Sequence, residues 1–218
     1  ALIHPLHTAG HDVSVLVRRT TPGRFPAGVR VVVEPEFTGT TFARLLPEAD
    51  CVIYGVGLPE QFTLDETVFE RVNRGLLNTF LAAMDASRVR RLVYVSTYEV
   101  FAPRDGAIRE SHPVASLDGL TPYFRSMTQA YGDVVSFAER TGTDLTTIHP
   151  GALYGGLNTG DGFTNVIENL LNRRMWRLPV VPPGRFPLVH ADSLAAGIVR
   201  SLDHTGAFIL SDGMTDLH

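Results

Sequence analysis

The 218-residue sequence contains no lysine; all 19 of its basic residues are arginine. No side-chain ammonium is therefore available to any site that would need one. It has one cysteine, Cys51, inside the apolar run Cys51-Val52-Ile53-Tyr54. An internal disulfide is excluded, which fits a reducing, cytoplasmic setting, and a lone thiol in such a run reads as packing rather than as a nucleophile. No apolar stretch reaches the roughly 18 residues that span a bilayer. Basic runs are also absent and the formal net charge is -4. That argues against nucleic acid or an anionic membrane as partner, because phosphate binding needs clustered cations. The eight histidines show no metal-ligand spacing, so no metal site is expected. Ser96 lacks the flanking glycines of a nucleophile elbow, which argues against a hydrolase. The first residues, Ala1-Leu2-Ile3-His4-Pro5-Leu6, read as the middle of a helix without a cap rather than as a signal peptide, and residues are expected to precede Ala1.

What is present is a globular composition, 44% hydrophobic, in a length that suits one domain or a domain with a small appendage. Short β-branched runs, Val13 to Val17, Val29 to Val33, Cys51 to Tyr54, Leu92 to Val95 and Leu145 to Ile148, predict parallel strands covered on both faces. Between them the spacing predicts helices over Thr41 to Leu46, Val68 to Met84 and Tyr123 to Glu139. Such alternation predicts an α/β fold with a doubly wound parallel sheet, whose ligands bind at the carboxyl ends of the strands. Arg18, Gly55, Thr97 and Pro150 then face one crevice. After His149-Pro150-Gly151 the sequence becomes rich in glycine and proline, with an apolar helix over Phe163 to Leu171 and another from near Asp192. The expected division is 1-150 for the sheet domain and 151-218 for a small C-terminal substrate lobe interleaved with the sheet. Leu210 to Met214 looks like a strand leaving into a loop.

The stretch with most chemistry runs from Leu92 to Tyr123. A buried-strand pattern delivers Ser96-Thr97-Tyr98-Glu99, and Tyr123 opens a helix downstream. A hydroxyl at a strand end and a phenol on the next helix are two groups that a carbonyl/alcohol redox site needs.

Six ordered segments carry a resemblance: Ala9-Gly10-His11-Asp12-Val13 with Val17-Arg18-Arg19; Phe69-Glu70-Arg71-Val72-Asn73-Arg74-Gly75; Leu92 to Phe101; Pro122-Tyr123; His149-Pro150-Gly151-Ala152-Leu153-Tyr154-Gly155; and Leu188 to Ala195. Together they resemble the extended short-chain dehydrogenase/reductases, the NAD-dependent epimerase/dehydratase-like group with a Rossmann-like fold. That family's glycine-rich cofactor loop is not in the sequence, which begins after the point where it would end.

The resemblance implies a site in which the Thr97 hydroxyl bonds the substrate oxygen and the Tyr123 phenol exchanges a proton with it. The family's lysine, four residues after the tyrosine and on the same helix face, lowers the phenol pKa; here that position is Met127, which implies weakened or altered catalysis. Glu99 resembles the glutamate that serves some dehydratases as a base, with Tyr98 at the companion acid position; its other reading is a solvated or capping carboxylate. The resemblance places the cofactor against Arg18, Arg19, Gly55, Val56, Asn73, Val95, Tyr123, Met127, Pro150, Gly151 and Leu153. A guanidinium fork at Arg18 and Arg19 suits the 2′-phosphate of NADP, with NAD possible, unless both are solvated surface arginines. Asn73 reads as more structural than chemical. His149 and Ala152 depart from the arginine and asparagine of many sugar-nucleotide enzymes. Arg173, Arg174 and Arg177 read as the polar end of a helix or an anion site, with Trp176 packing or stacking among them. The implied protein is an oxidoreductase or epimerase/dehydratase acting on a small-molecule carbonyl/alcohol substrate, and a homodimer through the two long helices. The alternative is a non-catalytic NAD(P)-binding sensor or scaffold.

Overall fold

The computed structural model describes residues 1–20, 22–59, 65–102, 106–155 and 185–216. The chain runs α1 (Ile3–Thr8), β1 (Ser14–Val17), β2 (Arg30–Val33), α2 (Gly39–Leu45), β3 (Cys51–Tyr54) and α3 (Glu66–Phe69). A π-helical segment (Glu70–Gly75), α4 (Leu76–Asp85), β4 (Arg91–Val95), α5 (Pro122–Thr141) and β5 (Asp144–Pro150) follow. The remainder comprises β6 (Ala152–Tyr154), β7 (Arg185–His190), α6 (Ala191–Arg200), β8 (Gly206–Leu210) and β9 (Gly213–Asp216). The helix expected over Phe163 to Leu171, with Arg173, Arg174, Trp176 and Arg177, lies outside the described residues.

The strands divide among a two-stranded sheet β1-β2, a four-stranded sheet β3-β4-β5-β8 and a three-stranded sheet β6-β7-β9. Every pair in the first two is parallel, whereas β9 runs antiparallel to β7. The stretch from Leu210 to Met214, expected as a strand leaving into a loop, is the end of β8, a turn and the start of β9. β8 ends at Leu210, and Ser211 Oγ accepts the Gly213 N–H at 3.1 Å and turns the chain back beside β7.

The four-stranded sheet is β-branched because both of its faces are covered. Alternate residues of β4 serve opposite cores: Leu92 and Tyr94 pack with Phe80, Leu77, Val134 and Phe137 of α4 and α5, while Val93 packs with Ile148 and Ile198 on the other side. α5 is delimited by local chemistry. Thr121 caps it by accepting the Phe124 N–H, Pro122 opens its first turn, and Gly142 closes it in the left-handed region at φ 70°. Where periodicity predicts one helix over Val68 to Met84, a π-helical segment separates α3 from α4. A π turn carries an extra residue, and Asn73 within it is 2% exposed, directed at polar partners that apolar spacing does not reveal.

Candidate active site

β4 ends at Val95, and Ser96 N–H still bonds Ile148 C=O at 2.7 Å, so the strand pair holds the chain up to Thr97. Thr97 is extended and caps the short turn Tyr98–Val100, its Oγ1 accepting the Glu99 N–H at 3.5 Å. The same hydroxyl donates to Glu99 Oε2 at 2.6 Å, within the short range of a charge-assisted bond. Tyr98 also hydrogen-bonds Glu99, and burial, reinforced by that neighbouring charge, pushes its phenol well above its ordinary value. Glu99 therefore gathers the protons of two hydroxyls, and Tyr98 stays protonated.

Tyr123 sits in the first turn of α5, its ring 5.8 Å from that of Phe69 and 5.1 Å from that of Phe124. A hydrogen-bond chain fixes its backbone: Ser126 Oγ donates to Tyr123 C=O at 2.8 Å, and Asn73 Nδ2 donates to Ser126 Oγ at 3.0 Å. Asn73 in turn accepts the Leu58 N–H at 2.6 Å and donates to Leu58 C=O at 3.3 Å. One side chain thereby joins the loop after β3 to the start of α5.

Met127 lies one turn on and is buried with Val100 and Phe101, with Tyr123 and Tyr131 packed against them. The position is part of an apolar wall that ties α5 to the turn carrying Glu99. The guanidinium of Arg125, nearby in sequence, is engaged by Glu66 at 2.7 Å.

Behind Thr97, its carbonyl lies 3.0 Å from Nδ1 of His149, whose Nε2 lies 2.9 Å from Thr147 Oγ1. Composition and motif order gave His149 no role beyond a departure from arginine. The available signal was the period of two, which puts Thr147 and His149 on one face of β5, toward α5.

Among the residues expected to hold a cofactor, Arg18 and Arg19 follow β1 and are exposed. Gly55 and half-buried Val56 follow β3, half-buried Val95 ends β4, Pro150 ends β5 and Leu153 lies in β6. A Cβ at Gly55 would meet only Val95 Cγ2 at 3.9 Å, an ordinary contact. Gly151 has a different constraint: a Cβ there would come within 2.6 Å of Pro187 O, so the close approach of β7 already requires glycine. Arg18 and Arg19 follow β1, Gly55 follows β3 and Thr97 follows β4, at the carboxyl ends of parallel strands where ligands of such sheets bind; the exposed guanidiniums suit the phosphates of a dinucleotide, and the Thr97 oxygen and Tyr123 phenol suit an oxygen substrate.

The model of the NAD dependent epimerase/dehydratase family matches residues 1–208. Among curated proteins nothing matches. Similar solved structures include UDP-glucose 4-epimerase of Thermus thermophilus in complex with NAD, with TM-score 0.79 and 19% identity over 99% of this chain and 75% of that one. UDP-glucuronic acid 4-epimerase of Bacillus cereus, in complex with UDP-glucuronic acid and NAD, superposes with TM-score 0.84 at 13% identity over 99% and 75% of the two chains. A double mutant of the dTDP-glucose 4,6-dehydratase of Streptomyces venezuelae gives 0.83 at 20% identity over 99% and 72%.

Proposed function

The chain belongs to the NAD dependent epimerase/dehydratase family, and from that premise we propose that it binds NAD(P) and acts at the alcohol or carbonyl carbon of a small-molecule substrate. Residues 1-150 hold the cofactor and residues 151-218 select the substrate. Sugar nucleotides are the first substrates to test, since similar solved structures hold them. When bound, the cofactor supplies hydride transfer; the proton chemistry belongs to the protein.

The observation that carries the reading is the 2.6 Å bond from Thr97 Oγ1 to Glu99. A hydroxyl has one proton, and here it is directed at a carboxylate, so toward a substrate alcohol the Thr97 oxygen acts as an acceptor. Glu99 is the group that draws the proton on. Tyr123 orients the substrate oxygen, but Met127 provides no positive charge to bring a phenol, near pKa 10 when free, into the neutral range. Turnover with native Met127 is accordingly slow.

Arg18 and Arg19 support a preference for NADP over NAD. Fluorescence titration should show saturable NADPH binding tighter than NADH binding, with Arg18→Ala weakening NADPH by about tenfold, the scale of one charge-assisted contact, and leaving NADH unchanged. Equal binding of both would remove the preference, and no binding of either would remove the redox reading.

The burial of Met127 in an apolar cluster favours a second reading, a binding protein that keeps the crevice without turnover. Robust NADPH oxidation by the native chain excludes it. The family resemblance also supports a homodimer through α4 and α5. The single cysteine, Cys51, supports a reducing, cytoplasmic setting.

A further inference from the structure

Thr97 is held from behind by a chain of hydrogen bonds that the proton chemistry above does not use. His149 has no exposed surface and its ring lies against those of Phe101 and Tyr131, with centroids 4.6 and 5.1 Å away. A carbonyl oxygen can only accept, so the ring nitrogen facing Thr97 C=O, Nδ1, carries the proton. Burial drives the imidazole down to about 4, against the opposing pulls of the Thr97 carbonyl and the Glu110 carboxylate, so the ring is neutral near pH 7. Nε2 is then a bare acceptor and takes the single hydroxyl proton of Thr147. The Tyr131 ring stands edge-on to the imidazole, at an interplanar angle of 80°. The direction is therefore fixed along the chain: Thr147 O–H to His149 Nε2, and His149 Nδ1–H to Thr97 C=O.

We propose that His149 is a positioning residue: its Nδ1–H form pins the Thr97 carbonyl and so holds the Thr97 hydroxyl oxygen where it accepts from the reacting oxygen, while Thr147 and the packed Tyr131 ring keep the imidazole in that orientation. Both ring nitrogens are engaged, as burial requires, and the one that donates is committed to the Thr97 carbonyl. The titratable groups acting on the ring are Tyr131 on α5 and Glu110, whose carboxylate is tied at 2.8 Å to the Ile209 N–H of β8. The proposal rests on the reading of Thr97 as the substrate-contacting hydroxyl, and its test separates the two.

Asparagine places an amide nitrogen near the position of Nδ1, and glutamine places one near that of Nε2. His149→Asn retains a donor for Thr97; His149→Gln does not. With NADPH and a sugar-nucleotide substrate that the native protein turns over, His149→Gln should lower kcat by about 100-fold, the loss expected from a small misplacement of a reacting group. Its NADPH dissociation constant should be unchanged, and His149→Asn should retain most of the rate. Nitrogen NMR of the cofactor-free protein at about pH 5.5, where a free imidazole is mostly charged, should show a neutral ring protonated at Nδ1. The Thr97 carbonyl carbon resonance should move in His149→Gln and stay near its native position in His149→Asn. A charged ring, protonation at Nε2, or equal effects of the two substitutions on rate and on the Thr97 resonance would overturn the proposal. Absence of turnover by the native protein, with the NMR signatures as expected, would overturn the functional reading of Thr97 and leave the pinning of its carbonyl established.

Discussion

Replacing Met127 by lysine tests what one methionine removes from the site. The position is 6% exposed, among Val100 and Phe101, so an ammonium there must bend toward Tyr123 to stay solvated. Met127→Lys is expected to raise kcat by about 100-fold, the lower range of assisted proton transfer, at a cost of about 2 kcal/mol in stability. Steady-state kinetics alongside urea unfolding would check both; an unchanged kcat in a folded variant would show that Tyr123 does not carry the proton. His149 gives a prediction at the same scale. The imidazole titrates at 6.5 when free and near 4 in the fold, so unfolding takes up a proton between those values. Stability from this group is complete above pH 6.5 and falls as pH drops toward 4. The loss between pH 7 and pH 5 is about 2 kcal/mol. Urea unfolding at the two pH values should show that slope in the native protein and a smaller one in His149→Asn.

Among the elements, the segment from α3 to α4 shows how a local irregularity serves the site. Asn73 lies in the π turn and satisfies both backbone groups of Leu58 as well as Ser126. Asn73→Ala leaves the Leu58 N–H and the Ser126 hydroxyl short of a partner, and unfolding experiments should show a loss of about 3 kcal/mol. Because Ser126 bonds the Tyr123 carbonyl, the damage also reaches the start of α5. Apolar spacing at Phe69, Val72, Leu76 and Phe80 reads correctly as helix, yet periodicity reports only which residues face a core. It carries no signal for the π turn, which polar contacts distant in sequence accompany. By contrast, the limits of α5 are legible because Thr121, Pro122 and Gly142 act on their own neighbours.

For the whole molecule, the π-helical segment and α4 lie beside α5, joined by Arg74 of the π-helical segment to Asp133 at 2.6 Å and by Arg140 to Asp85 of α4 at 2.9 Å. If these helices form the dimer face, sedimentation at micromolar concentration should show twice the monomer mass, and a charge reversal at Asp133 should shift it to monomer. A native monomer would remove that face. Among the described residues no helix is long and apolar enough to cross a membrane.

The strands β1 to β5, their order in the chain and the place of Thr97 at the end of β4 with Tyr123 opening a helix downstream were determined by the sequence alone, because β-branched runs and capping residues act over a few neighbours; β6 and β7 were not read from it. The division of strands among three sheets, the glycine that Pro187 requires at Gly151 and the burial of Met127 were decided only by tertiary structure. So was the line from Thr147 through His149 to Thr97. Each depends on groups that lie far apart along the chain or on facing elements, and their meeting is set by how the helices and sheets pack.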